Sequence, residues 1–263
     1  MIQFILYIYP EKFERKRCKP FEKHFTSFSC SQNQTRMEQN IDIFDSVKSQ
    51  AVNEITPEVL ELGLDAMLSN ETLKDIPIVG LAFKSFSLYQ HISEAFFVKK
   101  LLNFLFAINE IPIETRLKFI SKLESETETK RAGQKLLVTL NRLDDIDKAS
   151  IVGNLFKHTI LGEISYDHFS QLSHMIDNSY IHDLKKLSSR RQYIGIDNST
   201  QLRLYKSGFF DQNISDVKKQ LRLERFARSD KDYNGVVQPK FEYSENIFTQ
   251  ILSKYGFVNY TSD

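Results

Sequence analysis

The stretch that decides the fold is DIPIVGLAFKSFSLYQHISEAFFVKKLLNFLFAINEIP, residues 75–112, the most apolar part of the chain. Pro77 and Pro112 bracket it, and its apolar side chains fall on nearly every face of a helix. A helix that is hydrophobic all round is buried in a core or lies in a membrane. Four charged residues interrupt the apolar run of this stretch between Ile78 and Ile108: Lys84, Glu94, Lys99 and Lys100. These charges exclude a spanning helix, which needs about 18 or more apolar residues with few or no charges.

We therefore predict a buried helical hairpin that turns near His91-Ile92-Ser93. The alternative is that the hairpin, residues 76–108, presents one face to a membrane surface or to a partner. The side chains that would form that face are Phe96, Phe97, Leu101, Phe104 and Leu105.

The composition of the 263 residues is that of a folded protein, with 41% hydrophobic and 26% charged residues. Glycine (9) and proline (6) are scarce, which disfavours a β-sandwich or a barrel. The formal net charge of +1 conceals an uneven distribution. Residues 37–180 carry 14 basic and 21 acidic residues, a balance of −7, while 1–36 and 181–263 carry +4 each.

Both cysteines, Cys18 and Cys30, lie in the first 36 residues. A body without cysteine suits a reducing cytosol, so we expect a bacterial-type cytoplasmic protein, with peripheral membrane attachment as the alternative. Residues 1–36 begin with an apolar run that is followed by basic residues, the reverse of a secretory signal. We predict that 1–36 is a disordered extension, or an upstream reading-frame artefact with Met37 as the true start.

Apolar spacing over residues 41–187 predicts seven or eight helices with short connections, an all-α domain. One helix is expected to start at Thr56 and Pro57 and to continue through Gly63. Residues 71–75 are predicted as a turn and SETETK, residues 125–130, as a solvated break. Further helix boundaries are expected at Pro112, at Asp144 or Asp145, at Gly162 and at Ser165.

The last quarter of the chain has a different pattern. TQLRLYKSGFF, residues 200–210, is interpreted as a short apolar strand segment, and VVQPKFEYS, residues 236–244, as a strand. NIFTQILSKYGFV, residues 246–258, has the spacing of an amphipathic helix. This order of elements over residues 181–257 resembles a degenerate winged-helix module. The resemblance implies contacts of this tail with DNA or with protein.

The predicted fold class is therefore mainly α: a multi-helix bundle around the central apolar hairpin, with a small α+β winged-helix-like module at the C-terminus. We divide the chain into the extension 1–36, an all-α domain 37–187 and the tail 188–263.

Basic residues cluster around and within this tail. They are Lys185, Lys186, Arg190, Arg191, Lys218, Lys219, Arg222 and Arg225. Such a cluster can bind phosphate groups of nucleic acid or a partner. The competing interpretation is a solvated helix face, which the balance of +4 over 181–263 favours.

Local sequence offers little chemistry. There is no glycine-rich phosphate loop, no GxSxG elbow and no HExxH pair. Asp144, Asp145 and Asp147 could hold magnesium, but carboxylates beside a helix start are more typical of capping. We expect no catalytic residue, no metal and no cofactor.

The leading hypothesis is a non-enzymatic helical interaction or regulatory protein, whose tail contacts protein or nucleic acid. Under this hypothesis we expect the chain to bind a protein partner or to self-associate. The alternative is a membrane-acting effector, of the toxin-like or phage-defence type, that uses the 76–108 hairpin. An enzyme of unrecognised class is third.

Overall fold

Thirteen α-helices and one antiparallel pair of strands form the regular structure of the described residues. The computed structural model describes residues 42–85, 91–123, 126–188, 196–214, 222–223 and 241–257. In chain order the elements are α1 (Ile43–Val47), a 3-10 helix (Gln50–Glu54), α2 (Pro57–Glu61), α3 (Leu64–Ser69), α4 (Glu71–Lys74), α5 (Pro77–Ser85), α6 (His91–Phe106), α7 (Ile113–Ile120), α8 (Glu126–Arg142), α9 (Ile146–Ile160), α10 (Tyr166–Asp177), α11 (Ile181–Lys185), α12 (Asn198–Lys206), β1 (Phe210–Ile214), β2 (Phe241–Glu245) and α13 (Ile247–Tyr255). The predicted fold class, mainly helical with a small sheet near the C-terminus, is confirmed. The predicted extension 1–36 lies outside the described residues.

Capping side chains start several helices where the sequence predicts them. The Asp145 carboxylate accepts a hydrogen bond from the backbone N–H of Asp147 at 2.7 Å at the start of α9. The Ser165 hydroxyl accepts one from the N–H of His168 at 3.2 Å at the start of α10. Gly162, between these helices, has a φ of 81°. Glycine adopts this left-handed conformation without the steric cost that a Cβ brings.

Three predicted boundaries in the first half of the chain are wrong. The helix that starts at Pro57 ends at Glu61, and α3 begins after Gly63, so glycine separates two helices. The sequence predicts a turn at residues 71–75, but 71–74 form α4, because the Asn70 side chain accepts a hydrogen bond from Leu73 N at 3.3 Å. Residues 126–130 of the expected break at 125–130 are the first part of α8, and residue 125 lies outside the described residues.

The apolar stretch 75–112 forms α5 and α6 at the centre of the core. The predicted turn at His91–Ser93 is wrong, since His91 begins α6. Residues 86–90, which separate α5 from α6 in the chain, lie outside the described residues. Helix α6 makes its most extensive contact with α9.

Gly153 of α9 allows the close approach of α6 and α9. A Cβ at this position would lie 2.7 Å from the carbonyl oxygen of Phe104 and 2.9 Å from the Cβ of Ala107. One turn further along α9, Phe156 is fully buried. Its ring contacts four other phenylalanine rings at centroid distances of 5.1–6.3 Å: Phe44, Phe104, Phe119 and Phe169. Five helices, α1, α6, α7, α9 and α10, therefore contribute a ring to one aromatic cluster.

A buried lysine on α6 completes the C-terminal end of α8. Lys100 is 3% exposed, and its Nζ donates to the carbonyl oxygens of Asn141 at 2.7 Å and Leu143 at 2.8 Å. The last carbonyls of a helix lack intrahelical partners and carry partial negative charge, so a cation there is favourable. Burial lowers the pKa of Lys100 to about 8, while the charges of Asp144 and Asp177 oppose the shift.

We predict that Lys100→Met lowers the free energy of unfolding by about 2 kcal/mol, because two helix-terminal carbonyls lose their charged donor. The folded protein holds the Lys100 proton less tightly than the unfolded chain does. Stability of the parent chain should therefore rise with pH above about 8, until the ordinary lysine pKa of about 10.4 is passed. Urea denaturation across this range, followed by far-ultraviolet circular dichroism, checks both effects.

The matched control is Lys99→Met, which removes a charge from the adjacent, half-buried position. We expect it to leave both the stability at pH 7 and the pH dependence nearly unchanged. Equal losses in the two variants would contradict a specific role of Lys100 at the end of α8.

The C-terminal elements pack back on the helical body. The segment 200–206, predicted as a strand, is helical, since Asp197 caps α12 by accepting from Thr200 N at 3.0 Å. The predicted strand at F-E-Y-S is confirmed as β2, which pairs with β1 so that Phe210 faces Glu245 and Ile214 faces Phe241. Asn154 of α9 donates to the carbonyl oxygen of Gly256 at 2.9 Å, just after α13. The winged-helix resemblance stays a prediction, because most of residues 215–240 lie outside the described residues.

Candidate functional site

A groove of about 480 Å³ runs between α8 and α10. We call it the basic groove. It is lined by Arg131, Gln134, Lys135, Leu136, Val138, Thr139, Arg142, Tyr166, Phe169, Ser170, Ser173, His174 and Asp177. A volume of this size falls within the range of ligand pockets, so the groove is the candidate site.

The amphipathic pattern of α8 places its cations in the groove. Leu136, Leu137 and Leu140 are buried against the core, whereas Arg131, Lys135 and Arg142 are exposed. Residues four apart lie on the same face of a helix, and eleven residues make about three turns, so these cations form a row along α8. The floor between the helices includes Leu136 and Phe169, which are 4% and 2% exposed.

Two polar contacts cross the groove. Lys135 Nζ donates to the Ser170 hydroxyl at 2.9 Å, and Arg142 pairs with the Asp177 carboxylate at 2.9 Å. Asp177 is the only carboxylate among the lining residues. Among the described side chains, no carboxylate lies within ion-pair distance of Arg131 or Lys135. The groove therefore has an excess of positive charge.

Asp42 lies close to the groove at its contact with α8. A Cβ at Gly133 would collide with the Asp42 carboxylate, so a larger residue there requires this side chain to move. Burial raises the pKa of Asp42 to about 6, and the charge of Asp45 adds to the shift. Burial, with a smaller contribution from the charge of Asp42, raises the pKa of the groove residue Tyr166 to about 12.

We predict that Asp42→Asn stabilises the protein at about pH 8 by about 1 kcal/mol, a figure reduced for the partial exposure of this side chain. The folded protein binds the Asp42 proton more tightly than the unfolded chain does. Stability should therefore be greatest below the ordinary aspartate pKa and decline as the pH rises through about 6. Asparagine caps helices about as well as aspartate, so α1 keeps its cap.

Thermal denaturation of both proteins at several pH values tests this prediction. The two stability curves should become parallel below about pH 3, where Asp42 is neutral in both the folded and the unfolded chain. Asp45→Asn, at the neighbouring position of α1, is the control and should not remove the decline near pH 6. A variant that is less stable at pH 8 than the parent chain would contradict the burial effect.

Two of the sequence-predicted basic residues are engaged within the protein. Lys185 pairs with Asp147 at 2.6 Å. Lys186 donates to the Thr200 hydroxyl at 2.9 Å and lies 3.5 Å from the Asp197 carboxylate. Arg222 is exposed. The other members of that predicted face lie outside the described residues: Arg190, Arg191, Lys218, Lys219 and Arg225.

The predicted membrane or partner face lies largely in the core. Four of its side chains are buried, with exposed fractions of 5% or less: Phe97, Leu101, Phe104 and Leu105. Phe96 is half-buried, and the Lys100 Nζ lies 5.2 Å from its ring centroid. Of the helices that the structure describes, none combines the length and apolar character needed to cross a bilayer. A membrane contact through this face requires α6 to leave the core.

The acidic run at the start of α9 is divided among separate partners. Asp144 pairs with the buried Lys148 at 2.6 Å, Asp145 caps α9, and Asp147 pairs with Lys185. Within the described ranges, no group of three or more histidine, cysteine, aspartate or glutamate side chains could hold a metal ion.

The basic groove was not predicted from the sequence. The available signal was the spacing of Arg131, Lys135 and Arg142 on one face of α8. These cations line a groove only because α10, which comes later in the chain, packs beside α8.

Comparisons with protein-family models, curated proteins and solved structures found no match to this chain.

Proposed function

We propose that the protein is a non-enzymatic helical interaction protein that holds a partner in the basic groove. The observation that carries the proposal is the construction of the groove, with exposed cations and hydroxyl groups above an apolar floor. A desolvated apolar centre with a polar rim is the usual anatomy of a protein-recognition surface. Arginine is also enriched at such surfaces, because its planar group makes several hydrogen bonds at once.

The chemistry of the lining favours binding over catalysis. A serine beside a lysine, as Ser170 lies beside Lys135, is a pairing that some enzymes use as a nucleophile and its base. An activated lysine, however, must lose its proton through burial or a neighbouring cation, and Lys135 is exposed. The Asp177 carboxylate is paired with Arg142 and so serves as a structural anion. Both pairs support the groove walls.

The test is site-specific photo-cross-linking in cells that express the full chain. A photoreactive amino acid at Gln134, in the groove, should give a discrete covalent adduct. The matched control places it at Lys118 of α7, which is exposed outside the groove. The adduct at Gln134 should weaken when Arg131 is replaced by glutamate.

Absence of an adduct at Gln134, or the same set of adducts from Gln134 and Lys118, overturns the proposal. Contact of the tail with nucleic acid stays a prediction, because five of the eight basic residues of the predicted face lie outside the described residues. Membrane action through the 76–108 hairpin also stays a prediction.

A further inference from the structure

Resting on the proposed function, we infer that the basic groove binds an extended acidic peptide segment of a partner protein, with apolar side chains between its acidic ones. The inference comes from the spacing of the cations, the nature of the floor and the absence of stacking surfaces among the lining residues.

The row of cations is too long for a small anion. A helix rises 1.5 Å per residue, so the Cα atoms of Arg131 and Lys135 are about 6 Å apart along α8. Those of Arg131 and Arg142 are about 16 Å apart. A single phosphate or carboxylate reaches two of these side chains at most. A ligand that engages the whole row must carry several negative charges along an extended chain.

An extended peptide has the matching dimensions. Its residues rise by about 3.3 Å, so side chains on the same face recur at about 6.6 Å, close to the separation of Arg131 and Lys135. About five consecutive residues of an extended peptide span the distance of about 16 Å between Arg131 and Arg142. The side chains between the acidic ones would meet the apolar floor. Val138 is half-buried there beside the buried Leu136 and Phe169.

The same lining disfavours a nucleic acid strand. Proteins that bind single strands stack bases on exposed aromatic rings above a basic groove. The two aromatic residues of the lining are Tyr166 and Phe169. Phe169 is buried, and Tyr166 is half-buried with its ring centroid 5.9 Å from that of Phe169. Neither residue is exposed, unlike the rings on which bases stack.

An acidic ligand requires cations that are not already paired with a carboxylate. Among the described contacts, Arg131 and Lys135 have no carboxylate partner. Lys135 is held only by the hydroxyl of Ser170, a neutral partner that a carboxylate can replace with a stronger, charge-assisted bond. Arg142 is already neutralised by Asp177, so it contributes mainly hydrogen-bond donors. Arg131 and Lys135 are therefore the residues that should carry the affinity.

The experiment measures fluorescence anisotropy with the full chain and a labelled ten-residue peptide of alternating glutamate and leucine. The parallel probes are its glutamine analogue and a single-stranded DNA of equal charge. The glutamate peptide should bind, and binding should weaken as salt rises from about 0.05 M to about 0.5 M, because the Debye length shortens. The double variant Arg131→Glu, Lys135→Glu should weaken it by about tenfold or more.

The control reverses two exposed charges outside the groove, Lys118→Glu and Lys122→Glu, and so changes the net charge equally. Its affinity should stay within about twofold of that of the parent chain. Lys135→Met, which removes one charge without reversal, should give an intermediate loss. Circular dichroism confirms that each variant is folded.

Three results would overturn the inference: equal loss in the groove and control variants, equal binding of the glutamine peptide, or tighter binding of the DNA. An adduct at Gln134 with a partner segment that lacks acidic residues also overturns it, but leaves the proposed function intact. If the peptide binds but no cellular adduct forms, the proposed function is contradicted, whereas the preference of the groove for an acidic peptide is supported.

Discussion

Phe156→Ala should lower the free energy of unfolding by about 3–5 kcal/mol, the range for removing a fully buried phenylalanine. Phe156 contacts four other rings that come from separate parts of the chain. The loss combines the missing transfer free energy with a cavity that α9 cannot close without disturbing α6. Since domains are stable by only about 5–15 kcal/mol, this single change removes a large share of the total.

Because the chain has no tryptophan, urea denaturation is best followed by far-ultraviolet circular dichroism. The matched control is Phe241→Ala, the same substitution at a phenylalanine that is 62% exposed on β2. It should change stability by about 0.5 kcal/mol or less. If the two variants lose similar amounts, the aromatic cluster is not the centre of the core.

Gly153→Ser should lower the free energy of unfolding by about 3 kcal/mol, although serine has the better helix propensity. The gain in propensity is under about 1 kcal/mol. The new Cβ, however, would lie 2.7 Å from the carbonyl oxygen of Phe104, which belongs to the backbone of α6. The clash can be relieved only if the two central helices move apart, and overpacking of this kind costs about 1–3 kcal/mol or more.

Gly63→Ser provides a control with the opposite expected sign. A Cβ at Gly63 meets nothing within 4 Å, and the residue is the N-cap of α3 with a φ of −68°. Serine fits this conformation and can cap the helix, so stability should rise by a few tenths of a kcal/mol. Thermal denaturation of the pair separates the effect of the helix crossing from that of replacing glycine. A stable Gly153→Ser variant would contradict the close packing of α6 and α9.

The basic groove depends on this core. Phe169, which forms part of the groove floor, packs against Phe156 with ring centroids 5.1 Å apart. The walls of the groove are therefore held by the same aromatic cluster that stabilises the body. Substitutions in the cluster should reduce partner binding through loss of folded protein, whereas Arg131→Glu and Lys135→Glu should reduce binding in a protein that remains folded.

Much of the helical pattern could be predicted from local sequence, because caps and apolar periodicity act within a few residues. Pro57, Asp145 and Ser165 start helices as expected. The predictions were wrong at two places where a second local signal opposed the apolar spacing. Apolar spacing alone continues the first helix through Gly63, but the helix ends before this glycine. Asp197 caps a helix in the segment that was interpreted as a strand.

The burial of individual charged side chains could not be predicted in the same way. Charges in a sequence are read as solvent-exposed, since burying an unpaired charge is costly. Lys100 and Arg116 are nevertheless buried, because backbone carbonyls from distant segments meet them: Asn141 and Leu143 for the lysine, and Ser49 for the arginine. No local pattern announces partners that are about 40 to 70 residues away along the chain.

The sequence by itself determined that this protein is mainly helical, that residues 75–112 are too charged to span a bilayer, and where most helices begin. These properties follow from hydrophobic periodicity and from capping within a single turn. The tertiary structure decided which charges are buried, that the apolar face from Phe97 to Leu105 is turned inward, and that the cations of α8 line a groove beside α10. These properties depend on which helices become neighbours, and that is set by packing between residues far apart in the chain.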